Sequence, residues 1–356
     1  MNFRAILTLA QNGDIEKLAS ELESSDVSPS SIVNSKTGDG LIHVAARAGH
    51  VSCVQYLISH VGIHVDQKNY EFKTALHEAA QTGHTDVVKV LLSHGAEVDC
   101  LKRADWTPVM LAATKTGNTD TVQLLIQAGA DLRVLNKDGW SALHVGVRTG
   151  DTDMVTMLLS HCPQCLETRS NNGRSVLHTA CLAGHLEMVT MLLSHSPGMV
   201  NTQDSCGATP LMDAARAGHM DIVKLLMVTS DISLRDTLDR SVVDVAAQAG
   251  ASDVIEYFST AHNINVTQDS TILNAAREGH SQLIKYLITE GANVNCLDKF
   301  GRSPLFLAVS GQHAEAAREL IEAGSDVDIE DVNGNKLADL ARKPCVRELL
   351  STVNSS

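Results

Sequence analysis

Apolar residues in this chain come in short bursts with helical spacing, and the bursts alternate with polar turns. Between Lys73 and Leu101, Thr74-Ala75-Leu76-His77 opens a short helix, and the small Ala79 and Ala80 let a neighbour approach closely. Gly83 then ends that helix, because glycine accepts the left-handed backbone without a Cβ penalty. Val87, Val88, Leu91 and Leu92 follow at spacings that put them on one face of a second, outer helix. Gly95-Ala96-Glu97-Val98-Asp99 turns the chain into a projecting hairpin, and the pattern restarts at Thr107-Pro108. No such unit can bury its apolar face alone, so copies of it must stack.

The copies are plain in the sequence. The phrase returns as Ile42-His43-Val44-Ala45-Ala46-Arg47-Ala48-Gly49-His50, as Leu76-His77-Glu78-Ala79-Ala80-Gln81-Thr82-Gly83-His84 and as Leu177-His178-Thr179-Ala180-Cys181-Leu182-Ala183-Gly184-His185. Its glycines are Gly13, Gly49, Gly83, Gly117, Gly150, Gly184, Gly218, Gly250 and Gly279, and most intervals are 33 or 34 residues. That period resembles the ankyrin repeat. The resemblance implies an all-α ankyrin-repeat solenoid of about nine to ten helix-turn-helix repeats with projecting β-hairpin fingers. Units are expected to begin near residues 40, 73, 106, 140, 174, 208, 240, 269 and 302. Residues 1–35 read as an amino-terminal capping helix pair, within Asn2 to Leu22, plus a connection. Residues 36–334 read as the repeat array and residues 335–356 as a carboxy-terminal cap.

Two places break the pattern. Asn265 to Ser270 is three residues shorter than the equivalent Asp99 to Thr107, which predicts a shortened finger. Gln312 occupies a column otherwise held by glycine, which predicts an altered helix end. Sixteen histidines suggest a metal at first sight, but ten of them sit in the repeated phrase. There an imidazole can satisfy backbone or Thr hydroxyl groups between units. His77-Glu78 begins like a zinc-protease His-Glu-x-x-His, and Gln81 stands where the second ligand would be.

Composition removes other classes. Hydrophobic residues make up 44% of the 356 and aromatics only 3%, which suits small helices packed by Leu, Val and Ala. The formal net charge of −14 opposes binding to a phosphate backbone, so no direct nucleic-acid contact is expected. No basic leader with an apolar stretch and no run of eighteen apolar residues occurs, so a soluble intracellular protein with no membrane contact is expected. Scattered cysteines predict reduced thiols. The close pair Cys162-Pro163-Gln164-Cys165 reads as an inter-repeat loop. Phosphate-binding, nucleophile-elbow and dinucleotide motifs are missing, so no catalytic residue, cofactor or metal site is predicted. A solenoid binds on an extended surface.

The candidate surface lies in the middle fingers. Trp106 and Trp140 are 34 residues apart and hold the same column at the hairpin base, where other repeats carry Lys73, Arg174, Ala208, Arg240 and Arg302. A column that mixes Trp with Lys and Arg suits a partner better than a core. Tyr70 and Phe72 precede them, and Lys102, Arg103, Lys137 and Arg174 interleave, so these eight residues form the predicted partner-binding strip.

Val98-Asp99-Cys100-Leu101-Lys102-Arg103-Ala104-Asp105-Trp106-Thr107-Pro108 and Asn136-Lys137-Asp138-Gly139-Trp140 resemble a vertebrate family of ankyrin repeat proteins, as do Leu211-Met212-Asp213-Ala214 and Ser310-Gly311-Gln312-His313. That family binds the catalytic domain of alanyl-tRNA synthetase and limits serine mistranslation, its lysines taking up serine that the synthetase has misactivated. The resemblance implies a monomeric binding protein of cytoplasm and nucleus, a sacrificial acceptor rather than an enzyme. Of the family's acceptor lysines, one corresponds to Lys137; a second is Arg103 here, with Lys102 beside it; a third is Glu167. A generic ankyrin scaffold for another intracellular protein is the alternative.

Overall fold

The computed structural model describes residues 3–353, and Asn2, which the predicted amino-terminal helix pair included, lies outside them. The chain divides into two compact units, Met1–Ala180 and Cys181–Ser356. In the first unit the helices pair as α1 (Phe3–Asn12) with α2 (Ile15–Glu23), α3 (Leu41–Ala48) with α4 (Val51–Ser59), and α5 (Ala75–Thr82) with α6 (Thr85–Ser93). There follow α7 (Pro108–Ala112) with α8 (Thr119–Gln127), and α9 (Ala142–Thr149) with α10 (Thr152–His161). Next come α11 (Val176–Ala183), α12 (Leu186–His195), α13 (Pro210–Ala217), α14 (Met220–Met227), α15 (Val242–Ala249) and α16 (Ser252–His262). The chain ends in α17 (Asp269–Glu278), α18 (Ser281–Thr289), α19 (Pro304–Ser310), α20 (Ala314–Glu322), α21 (Leu337–Leu340) and α22 (Pro344–Val353). Full repeats thus start close to the expected positions.

One repeat shows why these residues fold this way. Thr74 is extended and caps α5; its backbone N–H donates to Nδ1 of His77 at 3.1 Å, and Gly83 closes the helix at φ 81°. Val87, Val88 and Leu91 of α6 are fully buried, at about 1.5–3 kcal/mol each by transfer free energy. The fingers are tight turns, four of them carrying a single β-bridge among the described residues, such as Lys102 with Trp106 and Arg169 with Ser175, rather than regular strands.

The two irregularities go further than expected. Six residues, 263–268, join α16 to α17, against fourteen, 94–107, between α6 and α7. Six residues cannot run out and back, so the finger predicted to be short is missing, and α17 instead starts early and runs ten residues. Gln312 is left-handed at φ 61°, and α19 ends at Ser310, with Gly311 capping it just before Gln312. The Gln312 amide donates to Val309 and Leu340 carbonyls at 2.8 and 2.7 Å. Its carbonyl accepts from the N–H groups of Arg342 and Lys343 at 2.9 and 2.8 Å. The side chain therefore fastens the last helix pair.

A disulfide joins Cys162 and Cys165 across the turn Pro163–Glu167, where composition alone predicts reduced thiols. Proximity decides this, because the turn faces two side chains three residues apart toward each other. Among the described residues no helix is long and apolar enough to cross a membrane.

Candidate protein-binding face

Finger tips of the first unit are joined by backbone hydrogen bonds into one ladder. The N–H of Tyr70 donates to Thr37, that of Arg103 to Glu71, that of Lys137 to Ala104 and that of Asn171 to Asp138, at 2.8–3.1 Å. Each tip takes one bond from the next finger and gives one to the last. This fixes Tyr70, Phe72, Lys102, Arg103, Trp106, Lys137, Trp140 and Arg174 along one edge.

Their exposure differs. Tyr70 and Phe72 stand clear at 56% and 55% exposed, Arg103 and Lys137 are exposed, and Lys102, Trp106, Trp140 and Arg174 are half-buried. The tryptophans are therefore less open than their column suggests. Each lies under a cation: Arg148 sits 5.0 Å from the Trp140 ring, and Lys102 sits 5.6 Å from the Trp106 ring. Thr107 to Gly117 contains one residue more than Ser141 to Gly150, so α7 stops after five residues. Lys115 is then drawn to the Thr82 carbonyl at 3.3 Å, and Lys102, from the finger itself, covers Trp106.

Lys102 has the more unusual environment of the two candidate acceptors. Burial, aided by the nearby Lys73 ammonium, lowers its pKa below the usual lysine range. A lowered pKa raises the neutral, nucleophilic fraction at pH 7. Lys137 is held by its backbone, since its carbonyl accepts from the Asn171 amide at 2.7 Å and its side chain is exposed. Arg103 pairs with Glu71 at 3.2 Å. Lys73 is occupied differently, at 3.3 Å from Glu78, which Arg47 also binds at 2.8 Å. Burial would raise the Glu78 carboxyl, and these two cations overcome it and hold it low.

The turn carrying Lys102 is strained. Ala104 and Asp105 both have positive φ, 65° and 60°, where the next finger places Gly139 at φ 75°. A non-glycine residue there costs on the order of 1–2 kcal/mol. Sequence reasoning also missed Leu101 and Leu135, 43% and 41% exposed on the same fingers. They too are 34 residues apart, so their shared column was there to be read.

The phrase histidines do structural work, as expected. Nε2 of His43 donates to the Lys73 carbonyl at 2.9 Å and that of His77 to the Trp106 carbonyl at 3.1 Å. Burial pushes the pKa of His77 and of His144 down to about 4. A second row, where it holds histidine, links a repeat to the one before: His50 to Gln11, His84 to Arg47, His219 to Leu182, His280 to Gln248 and His313 to Arg277, at 2.9–3.2 Å.

The repeat, its finger ladder and its histidine caps define a protein-binding class. The family model described as ankyrin repeats (3 copies) matches residues 6–102, 98–169, 160–236, 195–269, 243–331 and 272–355, and the chain belongs to that family. It is 29% identical over 96 residues to the transient receptor potential cation channel subfamily A member 1 of Homo sapiens, covering 27% of this chain and 8% of that protein. It is 31% identical over 84 residues to oxysterol-binding protein-related protein 1 of Homo sapiens, covering 23% and 9%. A match to the channel of Drosophila melanogaster spans 75 residues at 35% identity, 18% of this chain and 6% of that one. The matched stretches thus span a tenth or less of these relatives. The crystal structure of the human ASB11 ankyrin repeat domain is similar at TM-score 0.53 and 25% identity, over 60% of this chain and 97% of that one.

Proposed function

We propose that the finger edge from Tyr70 to Arg174 binds the catalytic domain of alanyl-tRNA synthetase and limits serine misincorporation. The finer likeness behind this is to vertebrate ankyrin repeat domain-containing protein sixteen, in the segments Val98 to Pro108 and Asn136 to Trp140. What supports it physically is the pairing of a strained turn, Ala104-Asp105, with a lysine of lowered pKa lying over Trp106. Backbone strain kept at a surface turn points to function there.

In this reading Nζ of Lys102 or Lys137 attacks the carbonyl carbon of seryl-adenylate. The C–O bond of the mixed anhydride breaks, AMP leaves with its electron pair, and the amine gives up a proton as the amide forms. An unperturbed lysine, pKa about 10.4, is neutral in only about one molecule per few thousand at pH 7, so proximity to the activated ester must supply the rate. A lysine amide does not turn over, so the protein is an acceptor and not an enzyme. Arg103 and Glu167 hold the other two family positions and cannot act as amine nucleophiles. Cytoplasm and nucleus are the compartments that the likeness implies.

The test is mass spectrometry of the protein incubated with alanyl-tRNA synthetase, ATP and serine. Serine adducts are expected on Lys102 and Lys137, and Lys102→Arg with Lys137→Arg should remove them while preserving complex formation. Adduct yield unchanged in the double variant would end the acceptor role. Failure of the wild-type chain to pull down the synthetase would end the whole reading and leave a scaffold for a different protein.

A further inference from the structure

The missing finger leaves a finger-shaped vacancy in the second unit, Cys181–Ser356. Its flanking fingers are Asp236 to Arg240 and Asp298 to Arg302, each closed by a backbone bond from its first N–H, to the Arg240 and Arg302 carbonyls respectively. In the laddered pairs after the first finger, whose acceptor is Thr37, the second residue of a finger donates its N–H, and the third offers its carbonyl to the finger that follows. Thr237 donates to Cys206 in this way, and Val332 donates to the Phe300 carbonyl. By the same rule the Leu238 carbonyl should receive a donor from the absent finger, and the Lys299 N–H should find an acceptor on it. Among the described residues neither group has a hydrogen-bond partner.

The width of the vacancy follows from the helices beneath it. α15 packs on α17 and α17 on α19, so the two flanking fingers are two helix spacings apart. One helix spacing is about 8–10 Å, and a hairpin of two strands spans about twice 4.8 Å, so one hairpin fits and a single strand leaves a gap. The walls are apolar at the tips: Leu238 is 70% exposed on one side and Phe300 is 45% exposed on the other. Arg302 and Lys299 lie 4.8 and 5.2 Å from the Phe300 ring, which keeps that face in place.

We infer that this vacancy is a docking site for the tip of a β-hairpin of a partner protein, which completes the ladder by β-augmentation. Its occupant has one free backbone N–H for Leu238, one free carbonyl for Lys299 and an apolar side chain to lie between Leu238 and Phe300. Such main-chain pairing supplies affinity, and the two tips supply selectivity. The fingers of a second copy do not qualify in the first unit, because their tip groups are already paired with one another. The site is separate from the Trp106 and Trp140 edge, so its test is independent of the synthetase reading.

The probe is a cyclised hairpin peptide copying this chain's own finger Asp131 to Ser141, titrated into the full-length protein and followed by amide NMR. Saturable shifts are expected at Leu238, Lys299 and Phe300, unchanged by Trp106→Ala with Trp140→Ala. Leu238→Asp should weaken binding by about tenfold. In a second variant, residues 263–268 are replaced by a segment of full finger length. It should fold, slow hydrogen exchange at the Lys299 amide and no longer bind the peptide. Absence of saturable shifts overturns the docking site. Undiminished binding by the finger-restored chain, or an unprotected Lys299 amide in it, shows that the vacancy is not shaped for a hairpin and overturns it equally.

Discussion

The fingers of the first unit and those of the second are made by the same rule and end differently. From Thr37 to Asn171 each tip is bonded to the next, whereas beyond Cys206 and Thr237 the ladder stops and resumes only at Phe300 and Val332. The capping histidines lean the same way. His43, His77, His144 and His178 lie in the first unit, where Met110 is the exception, and their column in the second holds Met212, Asp244, Leu273 and Phe306. Within the second unit the break coincides with the short segment before α17, and capping tolerates a change of chemistry. Ser241 shows the tolerance, since its N–H donates to Asp244 at 2.9 Å in place of an imidazole.

The largest test of this contrast is acid. His77 and His144 have folded pKa values of about 4, below the unfolded value of about 6.5. The unfolded chain then binds more protons, so their contribution is complete above pH 6.5 and is lost as pH falls toward 4. Each should cost the first unit about 2–3 kcal/mol over that range. Hydrogen exchange corrected for intrinsic rate should show residues 41–180 losing protection first; loss of the two units together would break the contrast.

Next in size is the glycine column of the fingers. A Cβ at Gly139 would lie 2.5 Å from the Asn171 N–H nitrogen, whereas one at Gly301 meets nothing closer than a Val332 methyl at 3.4 Å. Gly139→Ala should cost roughly 2–3 kcal/mol in urea denaturation, and Gly301→Ala about 1 kcal/mol, the left-handed backbone alone. Equal losses would mean that the ladder contributes nothing.

Trp106→Ala with Trp140→Ala should weaken binding to the synthetase by roughly 2 kcal/mol, about thirtyfold, in a titration by interferometry. Undiminished affinity would move the interface off this edge. The smallest effect belongs to Gln312→Ala, which strips acceptors from Arg342 and Lys343. It should cost about 1 kcal/mol, with faster exchange confined to residues 337–350.

The helix pairs were readable because each repeat spells its own cap, its small-residue face and its closing glycine. What escaped depends on counting across repeats or on partners far along the chain. The extra residue between Thr107 and Gly117 could have been counted, and it separates Trp106 from Trp140. The Gln312 staple joins residues about 30 positions apart in a cap that no longer follows the repeat. Only the folded chain shows that three missing residues remove the whole finger before α17. Of the candidate strip, the exposure of Tyr70 and Phe72 follows from their place at a finger tip. The half-burial of the tryptophans was not, because it depends on Arg148 and Lys102 folding over them.

The second histidine row gives the chain a mechanical character. His50, His84, His280 and His313 each reach back to a carbonyl of the repeat before, so every such joint carries a similar small latch. At the repeat of Trp106 the latch is Asn118, whose amide spans the Ala80 and Ala112 carbonyls. Pulled from an end, the chain should peel one helix pair at a time, with even force steps at the imidazole joints and a step of a different height at Asn118.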